Sequence, residues 1–179
     1  DLDSLTGGLQ PSDLIILAAR PGMGKTALVL NIATNAVLAG KSAVIFSLEM
    51  SKEQLMARVL SSVSRVDSSR LRKGDLSDEE QDRLMEGARR IYERKDALGI
   101  DETPGISLME LRSRCRRFHK ENGIDLIIID YLQLMSGSSQ AKSESREREI
   151  SEISMGLKNL AKELGVPVIA LAQLNRGPD

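Results

Sequence analysis

Four short segments of the chain are built mainly from Ile, Val, Leu and Ala, and stretches with the apolar spacing of helices separate them. Short, continuously apolar runs of this kind are typical of strands that are covered on both faces. Such strands belong to parallel sheets, whose helical crossovers are right-handed. We therefore predict an α/β fold with a doubly wound, mainly parallel sheet flanked by helices. The predicted strands are Leu14–Ala18, Ala43–Leu48, Leu126–Ile129 and Val166–Leu171.

Capping boxes predict where several helices begin. In this motif a Ser side chain and a side chain three residues later satisfy free amide groups of the first turn. The last long helix is predicted from apolar residues spaced by three and four from Ile150 to Leu164, and it ends at Gly165. Two polar stretches, Ser68–Asp78 and Ser136–Ser145, are predicted to be loops. The capping boxes are Ser51 with Gln54, Ser77 with Glu80, and Ser107 with Glu110.

Length and composition limit the classes of protein to which the chain can belong. Its 179 residues suffice for one core, and we expect residues 1–179 to form a single domain. The 25 Lys and Arg residues balance 26 Asp and Glu residues, so contact with nucleic acid must come from a local basic strip. A lone cysteine, Cys115, excludes an intrachain disulfide. We find no membrane-spanning run and no signal segment, and we expect a cytoplasmic protein.

The stretch between the first predicted strand and the following helix resembles a phosphate-binding loop. Gly22 and Gly24 let the backbone approach an anion, whose charge the helix N-terminus favours. Lys25 is placed to reach the outer phosphates of a nucleotide and Thr26 to bind Mg²⁺. Ala19 stands where the usual pattern has glycine, which does no harm if its φ is negative. A chance glycine-rich turn is the alternative. The predicted nucleotide contacts are Ala19, Arg20, Pro21, Gly22, Met23, Gly24, Lys25, Thr26 and Ala27.

Polar residues end three of the other predicted strands. Asp130 follows a buried strand, at the edge where ligands bind in open parallel sheets, and is a candidate to hold Mg²⁺. Glu49 is a candidate base that would take a proton from the attacking water. The serious alternative is that its negative charge only stabilises the N-terminus of the following helix. Gln173 is a candidate sensor of the γ-phosphate, or simply a polar strand end. Ordinary turn chemistry is the alternative for Asp130.

Several segments together resemble a known family. They are LTGGLQPSDLIILAARPGMGKT, VIFSLEMS, IDETPGIS, IDLIIIDYLQLM and LAKELGVPVIALAQLNR. The chain resembles the C-terminal motor domain of the bacterial replicative DNA helicase (DnaB) family, a RecA-like hexameric ATPase with a P-loop. The resemblance covers nearly the whole chain, and SLEM, DYLQLM and QLNR are its most specific parts. Ala or Gly is normal in this family at the position of Ala19.

The resemblance implies a role for each candidate residue. Lys25 and Thr26 would bind phosphate and Mg²⁺, Glu49 would be the catalytic base, Asp130 the Walker B carboxylate, and Gln173 the coupling sensor. The cofactors would be ATP and Mg²⁺. The protein would form a homo-hexamer that moves 5′ to 3′ on single-stranded DNA, close to the nucleoid, with a helicase loader and a primase as partners. The chain would be part of a longer protein, whose arginine finger and main DNA loop lie beyond Asp179.

A basic segment after the Asp130 strand is the candidate DNA contact, because such a loop faces the central channel of RecA-like motors. A solvated loop fits its mixed charges equally well. The arginines between Arg112 and Lys120 are predicted to form an exposed face of a helix. Two other functions stay open, a RecA-type recombinase or repair ATPase and a nucleotide-gated binding module without turnover. The candidate DNA contacts are Lys142, Arg146, Arg148 and Arg176.

Overall fold

A computed structural model describes residues 7–135 and 144–174, with the side chains of the second range from residue 148 onward. Within these residues five parallel strands form one sheet in the order β1-β5-β4-β2-β3. The strands are β1 (Leu14–Ala19), β2 (Ala43–Ser47), β3 (Leu98–Asp101), β4 (Leu126–Asp130) and β5 (Val168–Gln173). The helices are α1 (Lys25–Leu38), α2 (Lys52–Ser64), α3 (Ser68–Lys73), α4 (Asp78–Tyr92), α5 (Leu108–Asn122) and α6 (Glu144–Leu164).

Apolar cores lie on both faces of the sheet, as the continuously apolar strands predict. Alternate residues of β4 point to opposite faces, so Ile127 joins one core and Ile128 the other, and both are fully buried. Helices α5 and α6 cover the first face, and α1, α2 and α4 cover the second. The predicted fold class is therefore confirmed. The predicted run Val166–Leu171 begins too early, because the strand itself starts at Val168 and continues to Gln173.

Strand β3 was not predicted from the sequence. It has four residues, all of them only half-buried, and it lies at the edge of the sheet beside β2. Gly99 weakens the strand pattern, and its missing side chain makes room for Phe118, whose ring would be 2.7 Å from a Cβ at that position. A short, half-buried strand with a glycine lacks both the length and the apolar continuity that identified the others.

The predicted capping boxes are confirmed, since the Ser side chain and the side chain three residues later make both reciprocal hydrogen bonds in α2, α4 and α5. Helix α6 is followed by Gly165 with a φ of +65°, as a helix end requires. The loop prediction for Ser68–Asp78 is wrong for its first six residues, which form the short helix α3 capped by Asp67, and it is right for residues 74–77. In the loop prediction for Ser136–Ser145, residues 136–143 lie outside the described residues and the last two are helical.

The basic face of α5 is only in part the exposed face that the sequence predicts, since Arg116, Arg117 and Lys120 are exposed whereas Arg112 and Arg114 are half-buried. Arg112 and Arg116 both donate to the carboxylate of Glu163 on α6, at 3.0 Å and 2.5 Å. Hydrogen bonds from Arg116 and Arg112 lower the pKa of Glu163 to about 2. Arg114 binds Asp101 at the end of β3. These arginines therefore connect α5 to its neighbours. Among the residues that the structure describes, no helix combines the length and apolar character that crossing a bilayer requires.

We predict that Leu157→Ala lowers the free energy of unfolding of the chain by about 2–5 kcal/mol. Leu157 is fully buried between α6 and the sheet, so the substitution leaves a cavity in the core. Met155→Ala on the same helix is the matched control, because that side chain is 66% exposed and its removal should change stability by less than about 0.5 kcal/mol. Urea denaturation measures both, and equal effects would contradict the packing described.

Candidate nucleotide-binding site

A cleft of about 450 Å³ opens at the edge of the sheet where the strands end. Parallel strands bring their carboxyl ends to one edge, and the loop after β1, the turn after β2 and the ends of β4 and β5 all reach this cleft. The lining residues are Pro21, Gly22, Met23, Gly24, Lys25, Thr26, Ala27, Glu49, Met50, Gln54, Arg58, Asp130, Tyr131 and Gln173. The cleft therefore holds the five side chains that the sequence assigns to nucleotide chemistry.

The loop after β1 has the backbone conformation that its glycines permit. Gly22 and Gly24 have φ values of +77° and +84°, and a side chain there would be strained. No atom lies within 4 Å of where a Cβ would be, so the loop presents open backbone to the cleft at the N-terminus of α1. Ala19 lies in β1, paired with Gln173, and has no positive φ, so its methyl group is harmless. Neither Ala19 nor Arg20 lines the cleft.

Lys25 is held by two backbone carbonyl groups. Its ammonium group donates to the oxygen of Ala19 at 2.8 Å and to the oxygen of Ala172 at 3.0 Å. Ala19 is the last residue of β1 and Ala172 the last but one of β5, so the Lys25 side chain connects these two neighbouring strands. A cation in this position can exchange a carbonyl acceptor for a phosphate oxygen.

Thr26 and Asp130 both line the cleft and contact each other directly. The hydroxyl group of Thr26 donates to Oδ2 of Asp130 at 2.7 Å, and Asp130 is 3% exposed. Burial raises the pKa of the Asp130 carboxyl, and the nearby Glu49 raises it further, while the Thr26 hydrogen bond and the cations of Lys25 and Arg58 act in the opposite direction. A buried carboxylate beside a hydroxyl group is a pair of hard oxygen ligands of the kind that Mg²⁺ prefers.

Glu49 and Gln173 lie at the ends of two different strands. Glu49 is in the turn after β2, where its exposed side chain lines the cleft. Gln173 is the last residue of β5 and also lines the cleft. The backbone of Gln173 makes two hydrogen bonds with the side chain of Gln133. Glu49 and Gln173 therefore border the same cleft as the phosphate-binding loop.

Sequence reasoning missed two polar residues that line the cleft, Gln54 and Arg58, and a third, Gln133, that contacts a lining residue. Gln54 and Arg58 lie one turn apart on α2 and line the cleft opposite the loop. The sequence assigned Gln54 only to the capping box, and Arg58 has the pattern of an ordinary exposed helix charge. Their spacing of four after the Glu49 turn is the signal that places them on one face. Gln133, whose amide group contacts the end of β5, lies in the 3₁₀ turn Leu132–Leu134.

The candidate DNA contacts are mostly beyond what the structure describes. Lys142 and Arg176 lie outside the described residues, and only the backbone of Arg146 is placed, in α6. Arg148 is exposed on the same helix. The DNA-contact hypothesis stays a prediction.

The whole chain, residues 1–179, matches the family described as "DnaB-like helicase C terminal domain". The chain belongs to this family. It is 48% identical over 178 residues to "Replicative DNA helicase DnaC" of Bacillus subtilis (strain 168), covering 99% of this chain. It is 49% identical over 178 residues to "Replicative DNA helicase DnaB" of Haemophilus influenzae, covering 98% of this chain. The chain spans 38% of the length of each of these relatives.

Solved structures of the DnaB-like family have the same fold. The chain superimposes on a structure described as "ATPase Domain of G40P" with a TM-score of 0.89 and 32% identity, covering 98% of this chain and 62% of that one. It matches "The Structure Of A DnaB-Like Replicative Helicase And Its Interactions With Primase" equally well, covering 42% of that chain. The RecA-like ATPase core is thereby shown for this DnaB-like domain, and it implies nucleotide binding.

We predict that Asp130→Asn stabilises the ligand-free DnaB-like domain at neutral pH. Because the pKa of Asp130 is raised above the ordinary value of 3.8, the folded state binds this proton more tightly than the unfolded chain. The folded chain therefore loses stability as pH rises from 3.8 through the raised pKa of Asp130. An Asn side chain does not ionise, so the variant should not lose this stability.

Urea denaturation at several pH values measures the difference between Asp130→Asn and the parent chain. The difference should be largest at neutral pH and vanish below pH 3.8. Asp82→Asn, an exposed position on α4, is the control and should show no such trend. A variant less stable than the parent at pH 7 would show that the carboxylate contributes net stability to the fold.

Proposed function

We propose that this domain is the ATP-driven motor of a replicative DNA helicase. It binds ATP with Mg²⁺ in the cleft and couples hydrolysis to 5′ to 3′ movement on single-stranded DNA, as one subunit of a homo-hexameric ring. The observation that carries the proposal is the 2.7 Å contact between Thr26 and Asp130 beside Lys25, with Glu49 on the same cleft. Family membership supports the same activity.

The phosphate groups of ATP are bound by the loop and by Lys25. The amide groups at the start of α1 and the open backbone at Gly22 and Gly24 surround the anion. Lys25 exchanges its carbonyl acceptors for oxygens of the outer phosphates. The residues that fit Mg²⁺ are Thr26 and Asp130, because they already place a hydroxyl group and a carboxylate together. The ion would neutralise negative charge on the phosphate oxygens.

Glu49 acts on the water that attacks the γ-phosphorus. Its carboxylate accepts the proton of that water as the new P–O bond forms, and the bond to the β-phosphate oxygen breaks to release ADP and inorganic phosphate. Gln173 carries a neutral amide group that can donate to a γ-phosphate oxygen and lose that partner after hydrolysis. Arg58 adds a second cation to the cleft that Lys25 also lines. These roles follow from the position of each side chain around one cleft.

The larger assembly is also part of the proposal. Residues 1–179 would form one RecA-like ATPase domain of a longer protein, in the cytoplasm and close to the nucleoid. Single-stranded DNA, a helicase loader and a primase would be its partners, and the relatives' names support the helicase role. One structural neighbour is described with its interactions with primase. Lys142, Arg146, Arg148 and Arg176 are the proposed contacts to the phosphates of DNA.

We predict that Glu49→Gln in the full-length helicase lowers kcat for ATP by about 10² or more. The amide cannot accept the proton, whereas the loop that binds the phosphates is unchanged, so the affinity for Mg-ATP should be kept. Phosphate release measures turnover, and titration with a fluorescent ATP analogue measures binding. Glu79→Gln, on the exposed side of α4, is the control. Unchanged turnover would remove Glu49 as the base, and a parent protein without turnover would favour a binding module.

We predict that Lys25→Met weakens ATP binding to this domain roughly 10- to 100-fold, the range expected for lost charge-assisted hydrogen bonds. The substitution keeps the length of the side chain but removes its charge. Lys41→Met is the control, because Lys41 lies in the loop between α1 and β2 and its side chain binds only Asp125 among the side-chain hydrogen bonds described. Equal affinity of the Lys25 variant and the parent chain would place the phosphates elsewhere.

A further inference from the structure

Strand β5 continues past the point where its neighbour β4 ends. The last pair between these strands joins Ile129 to Ala170, and β5 then runs on to Gln173. On its other side β5 stays paired with β1 to the end, where Ala19 lies opposite Gln173. The final residues of β5 therefore lack a strand partner on the β4 side. One of these residues, Gln173, lines the cleft.

The side chain of Gln133 takes the place of the missing strand. Its Nε2 atom donates to the carbonyl oxygen of Gln173 at 3.1 Å, and its Oε1 atom accepts from the amide group of Gln173 at 3.3 Å. A primary amide has the same donor and acceptor as a peptide group, so it can satisfy both backbone groups that one strand residue presents to a neighbour. Gln133 comes three residues after Asp130, in the 3₁₀ turn that follows β4. It thereby ties the end of β5 to the end of β4.

The peptide unit between Ala172 and Gln173 is also held by Lys25, on the side away from Gln133. The carbonyl of Ala172 accepts from the ammonium group of Lys25 at 3.0 Å, and the amide of Gln173 donates to Gln133. These two groups belong to one planar peptide unit, so fixing one of them fixes the orientation of the other. Rotation of this unit would move both the acceptor of Lys25 and the base of the Gln173 side chain. Gln133 is itself half-buried and does not line the cleft.

We propose that Gln133 is a positioning residue, which holds the last peptide unit of β5 so that the side chain of Gln173 faces the phosphate groups correctly, while Lys25 keeps its second acceptor at Ala19. The expected effect on turnover rests on the proposed function. The claim that Gln133 holds the end of β5 does not depend on it. Because Gln133 does not line the cleft, it acts on kcat through Gln173 and leaves the binding of ATP by the loop in place.

The kinetic test uses Gln133→Ala, Gln173→Ala and the double variant in the full-length helicase. We expect Gln133→Ala to lower kcat at least about tenfold, the factor that a lost net hydrogen bond of about 1.4 kcal/mol supplies, with a Kd for ATP analogue within about threefold of the parent. The double variant should have the kcat of Gln173→Ala alone, because Gln133 acts through that residue. Gln81→Ala, whose amide binds a carbonyl at the start of α4, is the control and should leave kcat unchanged. Additive losses, or an unchanged kcat in Gln133→Ala, would overturn the proposal.

The structural test needs no turnover. Hydrogen exchange of the ligand-free full-length protein, followed at the amide of Gln173, should be accelerated roughly tenfold by Gln133→Ala and unaffected by Gln81→Ala. Exchange in the middle of β4 should stay as slow as in the parent, which separates a local loss from general unfolding. Unchanged exchange at Gln173 would overturn the proposal. If the parent protein does not hydrolyse ATP, the proposed function fails, and this measurement still decides whether Gln133 holds β5.

Discussion

The direction of the strands is the constraint on which the candidate site depends. Because all five described strands run the same way, their carboxyl ends meet at one edge, and side chains far apart in the chain become neighbours there. The contact between Thr26 and Asp130 joins residues 104 positions apart. No local motif could achieve this alone, since the phosphate loop supplies only backbone groups, a lysine and a hydroxyl group. The sheet adds the carboxylates and the amide.

The site also contains interactions that oppose folding. Asp130 is buried beside Glu49, and both burial and like charge raise its pKa, so the ligand-free domain holds an unfavourable carboxylate. Lys25 and Arg58 offset part of this effect. Sites that bind highly charged ligands commonly give up stability in this way, because the arrangement that suits the ligand is unfavourable without it. The apolar cores on both faces of the sheet supply the stability that tolerates it.

Much of the fold could be predicted because strands that are buried on both faces of the sheet are apolar at every position. Runs such as Leu126–Ile129 are apolar at every position, and the capping boxes mark helix starts by local chemistry alone. Strand β3 lacks this continuous apolar pattern, since it is short, half-buried and interrupted by Gly99. Contacts between distant elements were equally hidden, as with Arg116 and Glu163, 47 positions apart. At the cleft, side chains that end strands were found, whereas Arg58 and Gln133 depend on how α2 and the turn after β4 pack.

The two carbonyl acceptors of Lys25 have a consequence for how a nucleotide leaves. An ammonium group that already has good internal partners loses little when an anion departs, because Ala19 and Ala172 recapture it at once. Anion binding therefore replaces neutral carbonyl acceptors with a charged phosphate oxygen, and the net gain is smaller than for a lysine that has no internal partner. In the ligand-free domain the same two hydrogen bonds fix the ammonium group between the ends of β1 and β5, so the loop keeps its cation in place without an anion.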